Sequence, residues 1–323
     1  VVSVNWGVLS TARINRKWLA GARAAQGATV LAVASREPAR AHAYARDHGI
    51  ERSYGSYEAL LSDPDVEAVY VPLPNSEHLP WTLRALEAGK HVLCEKPLGR
   101  RPAEVSTAFD AAEQRGLLLM EAFMYRFHPQ TERVAELVAE GAVGRLRLIR
   151  GAFSFAAADP ADVRLQAGLD GGALMDVGCY CLSAARLLAG EPERVQAEQV
   201  LGGDGVDVVL AATLRFRDGV LAHFDAGLAL ADRDELEVVG ESGALWLDDP
   251  WHCREPVIEL RRDGGVERIA VARADPYQLE VENFCAAVRG EAAPRLGRAD
   301  AVGQARAIEA LYAAAARGQA VTL

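Results

Sequence analysis

The feature that most constrains this chain is a change of rhythm. Short apolar runs at Val4–Val8, Thr29–Ala34, Ala68–Val71, Val92–Cys94 and Leu117–Met120 are separated by helix-patterned segments. Those segments are Ala39–His48, Tyr57–Leu61, Leu79–Ala88 and Pro102–Gln114. Strands that alternate with helices predict βαβ units and a doubly wound parallel sheet. In such sheets, ligands bind outside the carboxyl ends of the strands. Polar residues that follow each apolar run are therefore the first candidates for function.

After Glu121 the rhythm changes. A helix runs from His128-Pro129 to about Glu140, and Leu146–Phe155 reads as a long strand with alternating faces. A glycine-rich stretch then leads into a helix ending near Leu188. From Val195 to Ala272 the chain reads as strands joined by short turns. Val206–Phe216, Val220–Gly227, Glu235–Gly240, Ala244–Leu247, Val257–Leu260 and Glu267–Val271 predict an antiparallel meander. Two helices follow, Pro276–Arg289 and Ala299–Ala316. The expectation is α/β: a Rossmann-type domain over 1–122 and an α+β domain over 123–323 with a large, mostly antiparallel sheet. Helices can cover one face of that sheet. The other face is expected to be open and apolar and to meet a partner subunit, giving a dimer or tetramer.

The net charge of −10 argues against a nucleic-acid partner. No apolar run reads as long enough to span a bilayer, and the start lacks a signal-peptide pattern. The five cysteines, Cys94, Cys179, Cys181, Cys253 and Cys285, have neither disulfide-framework nor zinc spacing. They read as reduced thiols of a cytoplasmic protein, with no metal expected.

Several stretches carry chemistry. Gly7-Val8-Leu9-Ser10-Thr11-Ala12-Arg13-Ile14 follows the first strand, where a glycine-rich turn would bind pyrophosphate. Only the first glycine is standard, but the small residues Ser10, Thr11 and Ala12 allow close approach, and the N–H groups through Arg13 and Ile14 open the helix. Ser35-Arg36 ends the second strand, with Arg40 one turn on. An acid there would read a ribose hydroxyl; a hydroxyl and guanidinium groups suit a 2′-phosphate instead. Pro72-Leu73-Pro74-Asn75-Ser76-Glu77-His78 is a stiff loop at another strand end, placed to touch the nicotinamide ribose. Gly89-Lys90-His91-Val92-Leu93-Cys94-Glu95-Lys96-Pro97-Leu98 ends a buried strand in an acid, a base and a proline, so Lys96 points at a ligand. Farther on, Gly171-Gly172-Ala173-Leu174-Met175-Asp176-Val177-Gly178-Cys179-Tyr180 puts Asp176 and Tyr180 on one helix face. Each has a blander reading: a solvated Arg36, a His78 facing water, a surface Glu95–Lys96 pair, a Tyr180 packed in the core.

Together with Glu121-Ala122-Phe123-Met124-Tyr125-Arg126-Phe127-His128-Pro129, these motifs resemble the glucose–fructose oxidoreductase, inositol dehydrogenase and rhizopine-catabolism family, Gfo/Idh/MocA. The resemblance spans nearly the whole chain. It is nearest to the branch of NADP-dependent xylose and dihydrodiol dehydrogenases, with sugar ketoreductases close by, where tyrosine stands at position 180. It implies NADP(H), and hydride transfer to or from a carbinol or carbonyl carbon of a sugar or cyclic diol. It implies Lys96, Asp176 and Tyr180 as the catalytic group. Glu95 and Arg126 are expected to join the cofactor contacts, and Tyr125, Arg164 and Tyr277 the substrate contacts. Either Tyr180 or Lys96 can be the proton donor. Two other readings stand beside this one: a sensor that binds NADP(H) without catalysis, and an enzyme that oxidises and re-reduces its substrate with no net use of nicotinamide.

Overall fold

A computed structural model describes residues 3–323. Its first sheet comprises β1 (Val4–Leu9), β2 (Ala28–Ala34), β3 (Arg52–Tyr54), β4 (Ala68–Val71), β5 (His91–Glu95) and β6 (Leu119–Ala122). The order is β3-β2-β1-β4-β5-β6, and every pair is parallel. This is the doubly wound dinucleotide-binding order, which reverses between β1 and β4. Connecting helices are α1 (Asn15–Ala24), α2 (Pro38–Asp47), α3 (Tyr57–Leu61), α4 (Asn75–Glu87) and α5 (Pro102–Gln114).

Local differences from the sequence reading have physical causes. Pro80 reads as a first-turn proline, which puts the helix start at Leu79. In the structure α4 begins at Asn75 and carries Pro80 inside, so Asn75 and His78 stand on its first turn. The last strand is shifted to Leu119–Ala122, which brings Glu121 into the sheet. The strand Arg52–Tyr54 is three residues long and half-buried, too short for a hydrophobic pattern.

The later elements are α6 (Pro129–Ala139), β7 (Leu146–Ala156), α7 (Cys179–Ala189), β8 (Pro192–Leu201), β9 (Asp207–Phe216), β10 (Leu221–Gly227), β11 (Ala229–Gly240), β12 (Ala244–Leu247), β13 (Val257–Arg262), β14 (Gly265–Ala270), α8 (Pro276–Val288), α9 (Arg298–Arg317) and β15 (Val321–Thr322). The second sheet has the order β14-β13-β12-β11-β7-β10-β9-β8-β15. It is not a continuous meander. Strand β7 inserts between β10 and β11 and pairs parallel with β10, while the other neighbours are antiparallel. One face is apolar and buried through Leu210, Leu214, Phe224, Leu236, Val238 and Ile258. The opposite face is mixed, not apolar as expected. On β10 it presents Leu221, His223 and Asp225, and across the sheet Arg150 pairs with Glu237 at 2.8 Å.

The chain forms two compact units. One runs up to Gly99 and adds Ala103–Phe127 and Asp275–Val302; the other comprises Arg100–Pro102, His128–Ala274 and Gly303–Leu323. In the first, Trp18 stacks on Tyr70 at 4.3 Å, and Trp6 lies 5.3 Å from Trp18 and 4.8 Å from Phe284. Helix α8 thus completes the core under β1 and β4. In the second, Ala167–Ala189 is long and apolar enough to cross a bilayer, contrary to the sequence reading. However, 78% of its most apolar window is buried inside the protein, the signature of core packing.

Candidate active site

The first unit supplies polar groups at its strand ends. After β1 the turn is built without the second and third glycines. Ser10 adopts φ 123°, a region that usually favours glycine. Its backbone is braced: Asn15 Nδ2 donates to Ser10 O at 2.8 Å, and Ser10 Oγ accepts the N–H of Ala12 at 3.2 Å. The same hydroxyl donates to Pro72 O at 3.2 Å. It thereby ties the end of β1 to the end of β4, the two strands that flank the topological switch. Thr11, Ala12 and Ile14 are half-buried and Arg13 is exposed. The buried Asn15 escaped the sequence reading; a polar residue in the first turn after a strand was its only signal.

At the end of β2, Ser35 is buried and its Oγ accepts the Glu37 N–H at 3.3 Å. Arg36 and Arg40 are exposed, and neither has a carboxylate partner among the described residues. Both lie near the phenol of Tyr57, whose pKa burial pushes up while the two guanidinium groups pull it down. Two cations without a carboxylate, beside a serine, suit the 2′-phosphate of NADP(H).

At the end of β5, the loop carrying Lys96 is pinned from both sides. His78 is 1% exposed; its Nδ1 lies 2.8 Å from Pro97 O and its Nε2 2.8 Å from Leu73 O. Both nitrogens lie against carbonyls, so His78 braces the Pro72–Asn75 and Lys96–Leu98 loops. Glu121 is buried and accepts the Leu98 N–H at 2.7 Å. The Lys96–Pro97 peptide is cis. Glu95 accepts from the Tyr70 hydroxyl at 2.5 Å and from the Lys96 N–H at 3.2 Å. Burial, and then the Glu95 charge, push the Tyr70 pKa well above its ordinary value. Farther along, Arg126 lies 3.5 Å from Asp300 and its carbonyl accepts from Arg295 at 2.9 Å. Tyr125 and Tyr277 are buried; the Tyr277 N–H donates to Asp275, which caps α8.

The second unit holds Asp176 and Tyr180. Leu174–Gly178 forms a π-helical turn that runs into α7. Such turns cluster at functional sites. Two glycines set its approach. Gly172 has φ +126°, and a Cβ there would lie 2.1 Å from Asp207 Oδ1. A Cβ on Gly171 would lie 2.3 Å from Arg164 O. Buried Asp207 accepts the Leu174 N–H at 2.7 Å and the Tyr312 hydroxyl at 2.9 Å, and burial pushes its pKa up to about 6. Arg164, expected at the substrate, is the counter-ion of Asp176: its Nε lies 2.9 Å from Asp176 Oδ2 and its Nη1 3.1 Å from Asp162 Oδ2. That guanidinium also lies over Phe155, 5.3 Å from the ring centre. Tyr180 is 9% exposed and packs against Phe153 at 5.4 Å and Trp251 at 6.2 Å between ring centres. Three aromatic rings, Tyr180, Phe153 and Trp251, thus share this wall.

Two family models match the chain. One, described as an oxidoreductase family with an NAD-binding Rossmann fold, covers residues 4–123; the other, a GFO/IDH/MocA C-terminal domain, covers residues 131–246. Among curated proteins, a D-xylose 1-dehydrogenase (NADP(+)) of Haloferax volcanii is 42% identical over 98% of this chain and 99% of its own. A trans-1,2-dihydrobenzene-1,2-diol dehydrogenase of Danio rerio is 36% identical over 78% and 76%. Among solved structures, a 3-ketoreductase from Actinomadura kijaniata in complex with NADP and TDP-benzene superposes with a TM-score of 0.92. It is 35% identical and covers 97% of this chain and 98% of its own.

Proposed function

The chain belongs to the Gfo/Idh/MocA oxidoreductase family, and from that premise we propose how its residues divide the work. It is an NADP(H)-dependent oxidoreductase acting on a carbinol or carbonyl carbon of a sugar or cyclic diol. When bound, the nicotinamide accepts or delivers the hydride. The protein holds and orients the substrate and moves the proton.

Residues 1–122 carry most of the cofactor contacts and 123–323 most of the substrate contacts. Ser35, Arg36 and Arg40 hold the 2′-phosphate. Ser10, Thr11, Ala12, Arg13 and Ile14 present backbone N–H groups to the pyrophosphate. Pro72, Leu73, Asn75, Glu95 and Arg126 border the nicotinamide half. Tyr180 Oη takes the proton of the substrate hydroxyl in oxidation and returns it in reduction. A free phenol, with a pKa of about 10, is a poor base at neutral pH. The ammonium of Lys96, acting on the same substrate oxygen, favours the phenolate. Asp176, paired with Arg164, orients a neighbouring hydroxyl. Tyr125 and Tyr277 shape the substrate wall.

The observation that carries this assignment is the pinned Lys96 loop. Two buried polar side chains, His78 and Glu121, are committed to holding residues 97 and 98. Buried polar groups must be bonded, and two such groups given to one loop support a role for the Lys96 it carries beyond packing. The test is to follow NADPH absorbance against pentoses, hexoses, keto sugars and dihydrodiols. Turnover of one of these classes is expected; none with any of them overturns the reading. We further propose a cytoplasmic location, which suits five free and buried cysteines.

A further inference from the structure

One ring away from Tyr180 stands an imidazole that no part of this mechanism uses. The Phe153 ring on β7 meets Tyr180 edge-on at 5.4 Å and His252 edge-on at 5.5 Å. Trp251 stacks on the same Phe153 at 6.2 Å, and its indole N–H donates to Ala152 O at 3.1 Å, which fixes the wall. His252 is fixed as well. Its Nδ1 lies 2.5 Å from Asp234 Oδ2, and Asp234 Oδ1 accepts the Trp251 N–H at 3.1 Å. With Nδ1 committed to a carboxylate, Nε2 is the ring nitrogen left to meet a ligand.

Nε2 has no partner among the described residues, and the His252 side chain is 28% exposed, whereas Trp251 is 1% exposed. The contrast with His78 is instructive: a bracing imidazole in this protein uses both nitrogens, and His252 presents one. Asp234, Asp249 and His252 also have the ligand types of a cation site, with donor atoms within 4.8 Å of one another. Arg254 already supplies the positive charge there, at 3.2 Å from Asp249 and 3.7 Å from Asp234, so the group carries no metal proposal.

We propose that His252 Nε2 accepts a hydrogen bond from a substrate hydroxyl remote from the reacting carbon, and so selects polyhydroxylated sugars over apolar cyclic diols. This rests on the sugar-or-diol reading above. Phe153, between the two rings, gives the sugar an apolar floor, with Tyr180 at one end and the imidazole at the other.

The experiment compares wild type, His252→Phe and His252→Gln on an aldopentose, its deoxy analogues and a cyclic dihydrodiol, with NADPH binding by fluorescence as the check on folding. His252→Phe is expected to lower kcat/KM for the pentose about tenfold, mainly through KM, the scale of one lost hydrogen bond. The dihydrodiol should be unaffected, and His252→Gln, which keeps an acceptor oxygen, should recover most of the loss. In wild type, removal of one hydroxyl from the pentose should cost a similar factor that His252→Phe no longer shows. Equal losses on both substrates, or no loss on either, overturn the proposal. So does a wild type that prefers the dihydrodiol, a measurement that holds even if the phenylalanine variant fails to fold. Turnover with an unchanged preference removes this inference alone; no turnover of any sugar or diol removes the proposed function, and this inference with it.

Discussion

Asp207 is a carboxylate whose ionisation the fold opposes. Its ordinary pKa of 3.8 is pushed to about 6 by burial, against the pull of the Leu174 N–H and the Tyr312 hydroxyl. The folded state therefore holds this proton over a pH range in which the unfolded chain has lost it. Stability from this group is greatest below about pH 4, falls as pH rises to 6 and is level beyond, by about 3 kcal/mol in total. Urea unfolding of wild type and Asp207→Asn should show that decline in the wild type only. At the cofactor, Arg36→Ala should raise KM for NADP(H) at least about tenfold, the lower end of a lost charge-assisted contact, and leave KM for NAD(H) nearly unchanged. At the proton, Tyr180→Phe and Lys96→Met should each lower turnover about 10²–10⁴-fold with little change in cofactor affinity. The double variant should be little worse, because groups that act as a unit are not additive. Residue types at strand ends made Ser35, Arg36 and Lys96 legible in the sequence, and the glycine-rich helix start did the same for Tyr180. The partners were not: that Arg164 serves Asp176, or that His78 serves Pro97, depends on contacts across loops that no spacing encodes.

Among elements, the turn into α7 is the most tightly specified. Gly172→Ala would put a methyl group on Asp207 Oδ1 in a backbone region that L-residues rarely adopt. A loss of about 2–5 kcal/mol is expected, with a fall in turnover and intact NADPH binding, since the cofactor contacts are made elsewhere. Thermal unfolding and binding measured on the same sample decide it. The alternation over five of the first six strands was legible because a parallel strand buried on both faces has a continuous apolar run, which the half-buried Arg52–Tyr54 lacks. The second sheet was legible as strands but not as an order. Strand β7 leaves the chain long before β10 and β11, yet pairs between them, and register between distant strands is set by the shared buried face. The π-helical turn at Leu174–Gly178 had no signal beyond its glycines.

At the scale of the whole molecule, the second sheet presents a face on which Arg150, His223 and Glu237 mix with Leu221, Leu148 and Trp246. We propose that this face joins subunits, with the aliphatic and indole groups making the contact and the ion pairs setting register. Sedimentation at micromolar concentration should show more than one subunit, and Leu221→Asp should shift it toward monomer; a wild type that sediments as monomer refutes this. Phe284→Ala, which removes the ring packed on Trp6, should cost about 3–5 kcal/mol of stability in urea. That packing also has a consequence for how the protein is made. The nucleotide-binding sheet is finished at Ala122, but the helix that closes its core starts at Pro276. At ribosomal speeds of about 5–20 residues per second, the roughly 150 intervening residues take on the order of 8–30 s to synthesise. Throughout that interval Trp6 waits without the Phe284 ring that covers it in the finished fold.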